Sequence, residues 1–166
     1  MAGRILIYVQ HLLGIGHLKR AAAIARASAA TGAHVTVAIG GHMAPGMEFG
    51  DAEIYQLPCV SAADDGFTVL LDERGQPIDE DWRMRRREAL LACFDATRPD
   101  VMVLELYPFG RRQFRFELLP LLERAATLAN PPRIACSVRD ILVSKARPER
   151  NREIVDIINK YFDAVL

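Results

Sequence analysis

Apolar positions along this chain fall into short continuous runs that alternate with longer periodic stretches. Arg4 to Val9 (RILIYV) is a nearly unbroken apolar run rich in β-branched and aromatic residues, the pattern of a strand buried on both faces. Leu18 to Thr31 follows, rich in alanine and closed by Gly32. That pattern predicts a helix that stops at the glycine and, with so many small side chains, lies close to a sheet. Ala33 to Ile39 reads as a second strand. Strand, loop, helix and strand joined so tightly make a βαβ crossover.

The alternation continues to the last residue. Glu53 to Leu57 predicts a short third strand, and residues 58–77 a long loop carrying Asp64-Asp65-Gly66 and Gly75-Gln76-Pro77. Ile78 to Thr97 has helical spacing, with Trp82, Ala89, Leu90, Cys93 and Phe94 on its apolar side. Val101 to Leu106 is a fourth strand, Gln113 to Leu128 a helix bent at Pro120, and Arg133 to Val138 a fifth strand. Glu149 to Tyr161 is a helix, and Phe162 to Leu166 begins another strand. The prediction is a single α/β domain over residues 1–166. It has an open, mostly parallel, Rossmann-like sheet with helices on both faces and strand order 3-2-1-4-5. The last apolar run stops in mid-strand, as expected of a fragment of a longer chain or of a short final edge strand.

Composition narrows the function classes. Hydrophobic residues make up 51% of the chain, enough for the core of one domain. The 21 acidic and 21 basic residues balance, so no nucleic-acid partner is expected. No apolar run is long enough for a membrane span, and the N-terminus lacks the pattern of a secretory signal. Cys59, Cys93 and Cys136 are odd in number and far apart, which suggests neither disulfides nor a metal framework and fits a reducing cytoplasm. Nothing in the sequence calls for a metal or a cofactor.

In open α/β sheets, ligands bind beyond the carboxyl ends of the strands, in the crevice where strand order reverses. Here that crevice lies between the first and fourth strands. The loop Gln10–His17 opens there, with Gly14-Ile15-Gly16 offering close backbone approach ahead of a helix N-terminus. A dinucleotide fingerprint is incomplete: Lys19 stands where the third glycine belongs, and the second strand ends at Gly40-Gly41 without an acid. No Walker sequence is present either.

His17, at the helix start, suits a general base or a capping, hydrogen-bonded structural histidine. Glu105 interrupts an apolar strand near its carboxyl end and needs a partner there. It could orient His17, bind substrate hydroxyls, or pair with Arg111. His42 is a candidate ligand contact, while His11 and His34 read as structural. Arg111 and Arg112, near a helix start, are open to an anionic ligand or simply solvated. Arg139-Asp140 can pair with each other beside the same cleft or meet a ligand there. The run Arg83 to Arg87, with Asp79 and Asp81 four residues before Arg83 and Arg85, reads as a solvated helix face.

The stretch Gly14-x-Gly16-His17-x-x-Arg20-x-x-x-Ile24-Ala25 after a buried strand resembles the N-terminal half of GT-B glycosyltransferases. The nearest groups are predicted bacterial glycosyltransferases and the N-acetylglucosaminyl transferase of peptidoglycan synthesis. A similar Gly-x-Gly-His-x-x-Arg run occurs in the nucleotide-sugar hydrolases of pseudaminic acid synthesis, and Ser137 to Leu142 also resembles the predicted-transferase group. The resemblance implies an acceptor-side domain, with a C-terminal domain, absent here, that holds a nucleotide-sugar donor, often UDP-linked. It implies that His17 serves as catalytic base or acceptor contact, assisted by an acid on or near Glu105. Gly14, Ile15, Gly16, His42, Arg111 and Arg139 are the expected substrate contacts. The partners expected are that donor and a hydroxyl acceptor, with a peripheral membrane contact left open. The residues Gln10-His11-Leu12-Leu13 replace a more glycine-rich loop. Hydrolysis of a nucleotide sugar, and a non-catalytic α/β binding module, are the alternative readings.

Overall fold

The computed structural model describes residues 2–12, 14–63, 68–138 and 148–166. The main sheet is built from β1 (Arg4–Val9), β2 (His34–Ile39), β3 (Glu53–Gln56), β6 (Val101–Glu105), β7 (Arg133–Ser137) and β8 (Ala164–Val165). Between β3 and β6 the chain inserts a small antiparallel pair, β4 (Ser61–Ala62) and β5 (Leu70–Leu71). The helices are α1 (Gly16–Ala30), α2 (Glu80–Thr97), α3 (Arg115–Ala126) and α4 (Pro148–Tyr161), with a 3₁₀ turn at Arg112–Phe114 leading into α3.

The six strands lie in the order β3-β2-β1-β6-β7-β8, every neighbouring pair parallel. Numbered within this sheet the order is 3-2-1-4-5-6, the expected Rossmann-like arrangement with a sixth strand at the edge. That edge strand is shorter than Phe162 to Leu166. Phe162 still donates its backbone N–H to Ile158 O (3.0 Å), so α4 uses up the start of the run. The segment 58–77, expected to be a loop, contains the β4–β5 pair, closed by the turn Asp72–Gln76.

Both faces of the sheet are covered, which is why β1, β2, β6 and β7 end in buried residues on both sides. On one face Ile7, Val9, Val37, Ile39 and Val103 meet Leu18, Ala21, Ala22 and Ala25 of α1. Those positions recur at the spacing of one helix face. On the other face Leu6, Tyr8, Met102 and Leu104 meet Trp82, Leu90, Cys93 and Phe94 of α2 and Leu118, Leu121, Leu122 and Ala125 of α3.

Helix ends follow local chemistry. Asp79 caps α2 by accepting from Trp82 N (2.7 Å), and Glu80 and Asp81 add negative charge to its first turn. The start of α1 has no side-chain cap and no acidic residue in its first turn. Among the described residues no helix is long and apolar enough to cross a membrane.

Candidate active site

The carboxyl ends of β1 and β6 lie side by side, and beyond them the chain places the residues singled out from sequence. β1 runs out at Val9, and α1 starts at Gly16, so His17 stands in the helix's first turn above the sheet. Glu105 is the last residue of β6, carried out by a strand whose preceding residues are buried apolar groups. His17 Nδ1 and Glu105 Oε1 lie 2.9 Å apart. The carboxylate is 1% exposed and the imidazole 12%. With Nδ1–H donating to Glu105, Nε2 is the ring nitrogen left to take a proton.

A second pair extends the arrangement. Arg20 sits three residues after His17, on the same face of α1. Its Nε donates to Ser137 Oγ at 2.7 Å and lies 3.9 Å from Glu105 Oε2. Ser137 is fully buried and is the register partner of Glu105 across β6 and β7. The first turn of α1 is therefore fastened to β6 through His17 and to β7 through Arg20. Glu105 pairs with His17 and lies within ion-pair reach of Arg20.

The loop after β6 is tightly wound. Leu106 and Arg111 both take left-handed backbone conformations, with φ of 67° and 59°. A non-glycine residue held there stores strain, a feature that clusters at ligand sites. Gly110 makes this turn fit, because a Cβ there would come within 2.7 Å of the Leu106 side chain.

His11 forms a neighbouring wall. It is 7% exposed and rests on Gly41, where an added Cβ would lie 2.6 Å from its Cε1. Burial pushes its imidazole below the usual range, a hydrogen bond with the His42 backbone opposes this, and the nearby charges of Arg111, His42 and His17 add to the lowering. His42 is exposed in the loop after β2, and Gly14 and Ile15 are exposed ahead of α1. A Cβ built on Gly14 would meet no described atom within 4 Å, so that glycine serves no packing need. The Cys136 thiol, close to Glu105, is pushed up to about 12, by burial first and that carboxylate second, so it stays protonated. Arg139, Asp140 and the Asp64-Asp65-Gly66 segment lie outside the described residues.

One reading of the sequence fails. The run Arg83 to Arg87 is not a uniformly solvated face, because Arg86 is completely buried. Its guanidinium bonds Glu117, Gln10 and two backbone carbonyls. Burial pushes the Glu117 carboxyl up, opposed by Arg86 and by the Tyr8 hydroxyl, which donates to it at 2.6 Å. The signal was present in the periodicity: Arg86 is four residues from both Trp82 and Leu90, within the apolar stripe of α2.

No family model matches this chain, and no curated protein matches it significantly. Solved structures do. MurG of Acinetobacter baumannii is similar over 98% of this chain and 40% of its own, at 12% identity and a TM-score of 0.54. The glycosyltransferase SsfS6 of Streptomyces sp. SF2575 is similar over 82% of this chain and 39% of its own, at 15% identity and a TM-score of 0.50. The chain spans about two fifths of the length of either protein. At such identities the likeness speaks for architecture. The chain has the fold of these glycosyltransferases and fits an N-terminal GT-B-like domain.

Proposed function

We propose that this chain is the acceptor-side domain of a glycosyltransferase that moves a sugar from a nucleotide-sugar donor, UDP-linked by analogy with the resemblance, to a hydroxyl acceptor. The observation that carries the reading is the 2.9 Å contact between His17 and buried Glu105 at the point where strand order reverses. A base held by a carboxylate, with its other nitrogen left over, is the arrangement that hydroxyl activation needs.

In this mechanism Nε2 of His17 takes the proton of the acceptor hydroxyl as its oxygen bonds to the anomeric carbon. The bond from that carbon to the diphosphate breaks, and the nucleoside diphosphate departs from the opposite face with the bonding pair. The configuration inverts. Glu105 keeps the ring oriented and balances the imidazolium that forms. The exposed backbone at Gly14 and Ile15, with Gly16, His42, Arg111 and Arg139, supplies acceptor contacts, and a second domain supplies the donor site.

His17→Ala in the full-length protein tests the proposal. Turnover of a panel of nucleotide sugars, followed by nucleotide release and product mass, falls by about two to four orders of magnitude while the fold is retained. Near-normal turnover in that variant overturns it. Product formed without any acceptor marks hydrolysis instead.

A further inference from the structure

Arg86 is a fully buried arginine whose five N–H donors all have partners. Nε donates to Glu117 Oε2 at 2.8 Å, and Nη2 to Glu117 Oε1 at 3.0 Å and to Gln10 Oε1 at 2.6 Å. Nη1 donates to the backbone oxygens of Gly40 at 3.1 Å and Pro58 at 2.6 Å. Three of these partners lie just past the carboxyl ends of three adjacent strands: Gln10 after β1, Gly40 after β2 and Pro58 after β3. One side chain thus ties together three loops on the edge where ligands bind.

The tie continues outward. Gln10 Nε2 donates to the His11 backbone oxygen at 2.7 Å, and the His11 ring rests on Gly41, which leads into His42. Gly40 admits the guanidinium because it has no side chain: a Cβ there would lie 2.2 Å from Nη2. Two features argue that this is more than a device for stability. A buried ion pair is seldom more stabilising than packed apolar groups of the same size. And three of the five bonds go to loop ends rather than to the counter-charge on α3.

We propose that Arg86 is a positioning residue that sets the wall of the cleft formed by His11 and His42, independently of the His17–Glu105 pair held by α1 and β6. Its bearing on turnover rests on the function proposed above. Its bearing on the geometry of the wall does not.

Two variants of the full-length protein test this. Gln10→Leu removes the link between Arg86 and the His11 carbonyl and leaves Arg86 with Glu117, Gly40 and Pro58. The double variant Arg86→Met, Glu117→Met removes the hub without stranding a buried charge. Circular dichroism and thermal unfolding verify that each is folded. This chain carries four histidines, His11, His17, His34 and His42, and their imidazole resonances in the histidine-labelled full-length protein are assigned by substituting each in turn. In both variants the His11 and His42 resonances move or split, while those of His17 and His34 stay in place. With an acceptor that the full-length protein uses, KM rises about tenfold with kcat within about twofold, the pattern of lost binding geometry. Unchanged His11 and His42 resonances in both folded variants overturn the proposal. So does an acceptor KM that stays at the parental value while those resonances move. Should His17→Ala retain full turnover, the catalytic reading fails and the resonances still decide the role of Arg86.

Discussion

Gly40→Ala isolates the packing around the buried arginine with a single methyl group. An ideal Cβ at this position stands 2.0 Å from Gln10 Oε1 and 2.2 Å from Arg86 Nη2. Neither neighbour can swing aside freely. Arg86 is held by five hydrogen bonds, and Gln10 by one to Arg86 and one to the His11 carbonyl. Forcing extra volume into a packed interior costs about 1–3 kcal/mol. Displacing Nη2 weakens a bond to a charged group, about 1.5–3 kcal/mol more. The expected loss is about 3–5 kcal/mol, or about 6–20 °C in Tm for a chain of this size. Gly14→Ala is the internal control. Its Cβ would meet no described atom within 4 Å, so its cost stays within about 0.5 kcal/mol. Urea unfolding of the two variants beside the parent chain measures both, read as a midpoint change at constant slope. A loss below about 1 kcal/mol at Gly40, or an equal loss at Gly14, would refute the steric reasoning.

Two further outcomes follow from the site. Glu105→Gln keeps an oxygen to accept from His17 but removes the charge that balances the imidazolium. Turnover is expected to fall by about two orders of magnitude, no further than with His17→Ala, and a kcat equal to the parent's would rule out the pairing as part of catalysis. His11 gives a pH dependence. Burial lowers its folded pKa, so the unfolded chain binds the proton more readily. The stability linked to this group is fully present above the unfolded value of about 6.5 and is lost as pH falls through the folded value. Stability measured from about pH 7.5 down to about pH 5 therefore declines, and declines less in His11→Asn. Parallel pH profiles for the two proteins would contradict that.

The sheet was legible from sequence because burial on both faces leaves an unmistakable record. RILIYV and VMVLEL carry no polar alternation, and the alanine-rich stretch before Gly32 is suited only to a helix lying close to its sheet. The β4–β5 pair left no such record, since two-residue strands are too short to show a period. The placement of Glu105 opposite His17 was also readable, as a charged residue in an apolar strand demands a partner. The pairing of Arg86 with Glu117 is hidden in the sequence for a specific reason. The acids before Arg83 and Arg85 supply surface pairings, and Arg86 lies one position from Arg85 on the chain but about 100° away around the helix. Arg86 and Glu117 each occupy an apolar stripe, beside Leu90 on α2 and beside Leu118 and Leu121 on α3. Two opposite charges in two facing stripes identify each other only once the helices are known to pack together.

The small side chains beneath α1 act as a spacer. Ala21, Ala22 and Ala25 are all fully buried against β1 and β2, so the height of the helix above the sheet is set by methyl groups. His17 and Arg20 ride on that helix, while the groups they grip, Glu105 and Ser137, belong to the sheet. The gap between base and carboxylate therefore inherits its value from residues that touch neither of them. A larger side chain at any of the three alanines would have to raise α1 from the sheet, and so lengthen the contacts of His17 and Arg20 at its leading end. In this architecture the tolerance of the floor to volume is also the tolerance of the chemistry to change.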